Sequence, residues 1–142
     1  MGRGVPKVVL EKLHAVPLLS GCNAKELRQI GNLGVRLNVA DGTVLTKQGK
    51  PGREFFLLLD GAARCLVDGK LVANFGPGDF FGEMALLDHG PRHATVIAEG
   101  PIEVLVLYGH EFNNLMDASP SITRKLLVAL AERARANASP CS

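Results

Sequence analysis

ARCLVDGKLVANF, Ala63 to Phe75, is the stretch on which the fold turns. Two apolar-rich runs, Ala63 to Val67 and Lys70 to Phe75, flank Asp68-Gly69. Both central residues of a type I′ turn need positive φ, which Asp-Gly supplies, so the stretch predicts a tight hairpin. The same rhythm continues outward from Val35 to Leu107, where short aliphatic and β-branched runs are separated by Asp41-Gly42, Gly49-Lys50-Pro51-Gly52, Asp60-Gly61 and Gly100-Pro101, each read as a turn. Short strands with regular turns predict a jelly roll or barrel.

Helical periodicity appears on both sides of this region. Pro6 is suited to open a helix in which Val9, Leu13 and Val16 share one face, with Lys7, Glu11, Lys12 and His14 more exposed and Pro17 as its end. In a second helix Asn23 is the expected N-cap, Glu26 completes a capping box, Leu27 and Ile30 form the buried side, and Gly31 or Gly34 stops it. After Tyr108, Ser119-Pro120 reads as an N-cap with proline at the first helical position. Ile122, Leu126, Leu127 and Leu130 are expected to form one apolar stripe through Val128 and Ala129, with Arg124, Lys125, Arg133 and Arg135 largely off it.

The polar residues concentrate in FFGEMALLDHGPRHATV, Phe80 to Val96, which follows the turn GPGD, Gly76 to Asp79. Gly82 lets backbone approach a ligand closely, and Glu83 to Leu87 tolerate one or two turns of helix. The unpaired N–H groups at the start of such a turn favour an anion, so a phosphate suits Gly82, Glu83, Met84 and Ala85. Arg92, behind Gly90 and Pro91, carries a planar fork that fits phosphate oxygens. A carboxylate beside a phosphate is repelled unless it accepts from a neutral donor or pairs with a cation, and a ribose hydroxyl is such a donor for Glu83. Taken singly, a Gly-Glu pair and an arginine after proline are ordinary loop features.

GEMAL, the spacing of nine from Glu83 to Arg92 and the closing PRHATV together resemble the phosphate-binding cassette of the cyclic nucleotide-binding domains. The resemblance covers most of the chain, with Gly49, Gly61 and Gly78 falling where family members commonly turn. It implies a mainly β fold with flanking helices, a β jelly roll (double-stranded β-helix) with the cassette between two strands. The implied division is a single domain: N-terminal helices over 1–33, the jelly roll over 34–108 with the cassette at 80–96, C-terminal lid helices over 109–136 and a tail at 137–142. Glu83 would accept the ribose 2′-hydroxyl, Arg92 would pair with the cyclic phosphate, and N–H groups at Gly82, Ala85 and His93 would complete the cradle, with Met84 and Ala94 beside them. The last helix in the family swings over the base, which makes Arg133 and, as the apolar alternative, Leu130 the candidate caps. His93 stands where some members place a serine or threonine that holds guanine, which tilts the expected ligand toward cAMP, with cGMP as the other candidate.

Composition agrees with a sensor. A length of 142 residues suits one domain, and a formal charge of +2 with dispersed basic residues leaves no nucleic-acid footprint. Cys22, Cys65 and Cys141 are an odd, widely spaced set that fits reduced thiols and a cytoplasmic setting, with Cys141 in a frayed tail. No apolar run nears the roughly 20 residues of a membrane span, and Pro6 stands where a myristoylation signal after Met1-Gly2 needs serine or threonine. His89 and His93 are spaced as helical metal ligands, but Gly90 and Pro91 break any helix between them, so no metal is expected. Catalysis lacks its parts, because a glutamate engaged with a ribose hydroxyl is not free as a base and no nucleophile arrangement accompanies it.

The reading is a non-catalytic sensor that closes its C-terminal helix on ligand and acts through an effector of unknown identity. Two alternatives stand beside it. The chain is a fragment of a larger cyclic nucleotide-regulated channel, kinase or transcription factor, although no DNA-reading module fits in Asn137 to Ser142, or it is a degenerate domain used as an interaction scaffold.

Overall fold

The computed structural model describes residues 5–137. Helix α1, Lys7–His14, is followed by a 3₁₀ turn, Pro17–Leu19, and by α2, Ala24–Leu33. Val9, Leu13, Val16, Leu27 and Ile30 are all buried, as the periodicity predicts. Pro6 sits one position earlier than expected, as the N-cap of α1. The capping box of α2 is complete: the Asn23 carboxamide oxygen accepts from the Glu26 amide at 2.9 Å, and the Asn23 amide donates to the Glu26 carboxylate at 2.9 Å. Of the two glycines offered as stops, Gly34 is the C-cap and Gly31 lies inside the helix. Lys12 is drawn in from solvent, donating to the Glu103 carboxylate at 2.8 Å.

The strands are β1 Val35–Val39, β2 Val44–Thr46, β3 Glu54–Val67, β4 Lys70–Phe75, β5 Phe80–Phe81 and β6 Thr95–Tyr108. They form one antiparallel sheet, ordered β1-β6-β3-β4, with β2 also on β6 and β5 also on β3. The predicted hairpin is present: Val67 pairs with Lys70 across Asp68 and Gly69, at φ of 54° and 78°. Two expected turns are not turns. Asp60-Gly61 and Gly100-Pro101 lie inside the 14-residue strands β3 and β6, where positive φ at Gly61 and Gly100 bends each strand without reversing it. The pairing of β3 with β6 shifts register on both sides of Asp60, the mark of a β-bulge. Bent in this way, two long strands serve both halves of the roll.

A short helix, α3 at Glu83–Asp88, connects β5 to β6, and α4 at Gly109–Ala118 and α5 at Pro120–Asn137 close the described chain. Ser119 caps α5, its hydroxyl accepting from the Ile122 amide at 3.3 Å. Two apolar cores result. One joins Val9, Leu13, Ile30, Phe55, Leu57, Leu107, Phe112, Ile122 and Leu126, between the helices and the outside of the roll. The other fills the roll with Phe56, Leu58, Ala63, Cys65, Phe81, Val96 and Val104.

The stripe on α5 departs from its expected membership. Ile122 and Leu126 are buried and Ala129 and Leu130 partly so, but Leu127 and Val128 are exposed. At about 100° per residue, Leu127 lies roughly 140° around the helix from Ile122, whereas Arg133 lies only about 20° from it. Arg133, expected off the stripe, is therefore on the inward face. Among the described residues no helix is long and apolar enough to cross a membrane. Cys141 and the Met1-Gly2 terminus lie outside the described residues.

Candidate functional site

The cassette is built on a backbone that only glycine adopts comfortably. Gly82 has φ 90°, and a Cβ there would stand 2.6 Å from the Glu54 carbonyl oxygen. The chain reverses from β5 into α3 at this point, leaving the N–H groups of Gly82, Glu83, Met84 and Ala85 without acceptors inside the helix. The GPGD turn sets the approach. The Asp79 carboxylate accepts from the Gly76 amide at 2.8 Å, and the Gly78 amide donates to the Leu58 carbonyl at 2.8 Å.

Arg92 is buried and engaged through three of its five N–H donors. Its Nη1 donates to the carbonyls of Glu54 and Gly82, each at 3.0 Å, and its Nη2 to the Glu54 carboxylate at 3.0 Å. Burial pulls the guanidinium pKa down, and the Glu54 carboxylate opposes this. Its backbone is held as well, since its amide donates to the Lys50 carbonyl and its carbonyl accepts from the Gly49 amide, both at 2.9 Å. Gly52 closes over the guanidinium so tightly that a Cβ would fall 2.5 Å from Cζ.

Glu83 is 4% exposed. Its side-chain partner, Arg133 Nη1, stands 3.4 Å away, at the long end for a charge-assisted bond. Burial pushes the carboxyl pKa up, and its own backbone, Arg133, His93 and Arg92 pull it back in that order. Arg133 is anchored elsewhere: Nη2 donates to the Phe80 carbonyl at 2.6 Å, and the guanidinium lies over the Phe80 ring at 4.1 Å and near Phe75 at 5.6 Å.

All the residues singled out from sequence line one cavity of about 540 Å³: Gly82, Glu83, Met84, Ala85, Arg92, His93, Ala94, Leu130 and Arg133. The polar groups gather at the cassette end, while Val67, Val72, Ala73 and Phe75 of the hairpin, with Cys65 and Phe81, form the apolar walls. These wall residues, and Glu54 and Gly52 behind Arg92, are not among the residues that sequence reasoning singles out. The walls carry a signal in the two-residue spacing of Cys65 and Val67, which turns both to one face of β3. Glu54 carries none, because its role depends on a contact 38 residues away.

This volume lies in the range of small-molecule sites, and the arrangement suits an elongated ligand with an anion at one end, hydroxyls beside a buried carboxylate and an apolar body.

Known proteins resemble this chain in sequence and in fold. The sequence profile of the cyclic nucleotide-binding domain matches residues 36–119. A cAMP-dependent protein kinase regulatory subunit of Hypocrea atroviridis is 34% identical over 113 residues, which is 80% of this chain and 24% of that protein. The chain thus spans about a quarter of that relative's length. The regulatory domain of Toxoplasma gondii PKA, solved with cAMP, superposes with a TM-score of 0.76 at 29% identity, covering 87% of this chain and 49% of that one. Thermus thermophilus Catabolite Activator Protein superposes with a TM-score of 0.77 at 31% identity, covering 84% and 58%. Fold, cassette and profile converge, and the chain belongs to the cyclic nucleotide-binding domain family.

Proposed function

We propose that this domain is a non-catalytic sensor of a purine cyclic nucleotide, with cAMP preferred over cGMP. The cyclic phosphate takes the amides at Gly82 to Ala85 and the guanidinium of Arg92, the ribose 2′-hydroxyl donates to Glu83, and the base lies along Val67, Val72 and Ala73 with Leu130 and Arg133 above it. His93 and Ala94 line the phosphate end. No metal takes part. The observation that carries the reading is Glu83: a buried carboxylate, held by a single long side-chain contact at 3.4 Å, has capacity for a neutral donor. The apolar base wall favours adenine, because guanine brings more polar edge groups whose burial goes uncompensated there.

Ligand binding couples to α5 through Arg133. A ribose hydroxyl on Glu83 competes with the Arg133 contact, and the base offers Leu130 and Arg133 a new surface, so the nucleotide interacts differently with the open and closed positions of the helix. The domain then acts in the cytoplasm as the regulatory unit of an effector, for which the names of its relatives suggest a kinase.

Titration calorimetry with cAMP, cGMP and AMP tests this reading. The expected order is cAMP, then cGMP, with AMP far weaker. AMP binding as tightly as cAMP would rule out a cradle shaped for the cyclic phosphate, and no binding by any of the three would leave an interaction scaffold.

A further inference from the structure

We propose that Gln48, which does not line the cavity, is a positioning residue that locks the apolar base wall to the Arg92 clamp and so fixes the distance between the two ends of the nucleotide site. This rests on the reading of the cavity as a nucleotide site.

The segment from Thr46 to Glu54 runs as a strap along the end of the cassette. The Thr46 hydroxyl donates to the Ala94 carbonyl at 2.9 Å, the Gln48 amide donates to the Thr95 hydroxyl at 3.0 Å, and the Gly49 and Lys50 backbone brackets that of Arg92. The strap ends at Glu54, which holds the guanidinium. From its middle, the Gln48 side chain crosses to the hairpin tip. Nε2 donates to the Asp68 carboxylate at 2.9 Å, and Oε1 accepts from the Asp68 amide at 2.8 Å.

This closed pair requires a side chain that donates and accepts at once, which a carboxamide does and neither a carboxylate nor an ammonium can. Asp68 is the first turn residue of the hairpin whose strands carry Val67, Val72 and Ala73 into the cavity. β4 lies at the edge of the sheet, so its far side has no strand to hold it. Gln48 therefore supplies a cross-tie from the phosphate end to the base end that the strand ladder does not provide.

The test is a charge-swapped pair. In Gln48→Glu the donor to Asp68 is lost and two carboxylates face each other. Asp68→Asn alone keeps both bonds, because its side-chain oxygen still accepts. In the double variant, Gln48→Glu with Asp68→Asn, the carboxamide now at the hairpin tip donates to the carboxylate now on the strap. That carboxylate still accepts from the backbone amide of the turn, so both bonds return with their direction partly reversed. Calorimetry with cAMP should show Gln48→Glu weakened about fivefold to tenfold, Asp68→Asn within about twofold of wild type, and the double variant restored to within about twofold, the size of effect expected of a coupled network residue. The urea midpoint of Gln48→Glu should fall only slightly, since the pair is largely exposed.

Wild-type affinity in Gln48→Glu overturns the proposal, as does a loss that persists in the double variant. Tighter binding by Asp68→Asn would show general electrostatics rather than a tie. If the wild-type chain itself binds no cAMP, the nucleotide reading fails and this inference with it, whereas wild-type binding with an indifferent Gln48→Glu removes this inference alone.

Discussion

Replacing Arg92 by alanine should damage stability and binding together, and the structure sets the size of each. Two backbone carbonyls, of Glu54 and Gly82, lose their donor, at about 1 kcal/mol apiece. The Glu54 carboxylate also loses its partner, but its side chain is 39% exposed and water takes over, so that loss is discounted to less than about 1 kcal/mol. Two buried methylenes of the stem contribute about 1.5 kcal/mol more. The whole is about 4 kcal/mol, a large share of the ~5–15 kcal/mol that holds a domain folded. With a urea slope of about 2 kcal/mol per molar, the unfolding midpoint should fall by about 2 M, and the variant should remain folded in its absence. Under those conditions cAMP affinity should drop by ~2–5 kcal/mol, because the phosphate charge is left to the amides alone. Urea unfolding followed by circular dichroism measures the first quantity and calorimetry the second. A stability loss below about 1 kcal/mol would refute the network argument, and unchanged affinity would remove Arg92 from the phosphate site.

Glu83→Gln should stabilise the ligand-free fold at neutral pH, because the folded carboxyl pKa is raised by burial and the ionised form is therefore disfavoured on folding. Wild-type stability falls as pH rises from the ordinary carboxyl value of 4.5 through the raised one, so the advantage of the glutamine should appear over that window and vanish below it. The same variant should lose about tenfold or more in cAMP affinity and little with the 2′-deoxy analogue, and equal losses would show that Glu83 does not serve the ribose. Gly82→Ala should cost at least about 2 kcal/mol in urea unfolding, from a left-handed residue whose new Cβ meets the Glu54 carbonyl, whereas Gly69→Ala, left-handed but in open space, should cost about 1 kcal/mol. Equal costs at the two glycines would mean that the close approach at Gly82 relaxes freely.

Local chemistry is legible in the sequence wherever it acts over a few residues. The Asn23 capping box, the Asp68-Gly69 hairpin and the Ser119-Pro120 start each depend on neighbours within a turn. The cassette is legible for a related reason, since Gly82, Glu83 and Arg92 lie on one continuous segment. What escapes depends on distance. Asp60-Gly61 looks like a turn when read alone, and only the pairing partner Glu103 across the sheet shows that the strand continues. Arg133, already a candidate cap, reads as lying off the apolar stripe when Leu127 and Val128 are counted into it, and only the packing of Ile122 and Leu126 shows it on the inward face. Glu54, bonded to an arginine 38 positions on, has no local signature at all.

The bulge at Asp60 carries a consequence for how this chain tolerates insertions and deletions. Before it, even-numbered residues of β3, Phe56 and Leu58, face the interior of the roll; after it, odd-numbered ones, Ala63 and Cys65, do so. Their partners on β6, Val96, Ala98, Ile102, Val104 and Val106, keep one parity throughout. From Leu58 to Ala63 β3 advances five residues while β6 advances six, from Val104 to Ala98, so the irregularity at Asp60 is a phase correction in β3 against a strand that keeps step. The odd interval from Leu58 to Ala63 is what changes the parity, so one residue inserted or deleted beside Asp60 would leave Ala63 and Cys65 facing inward by ordinary alternation, whereas one residue deleted between Ala63 and Val67 would turn part of the cavity wall outward while leaving every cassette residue unchanged.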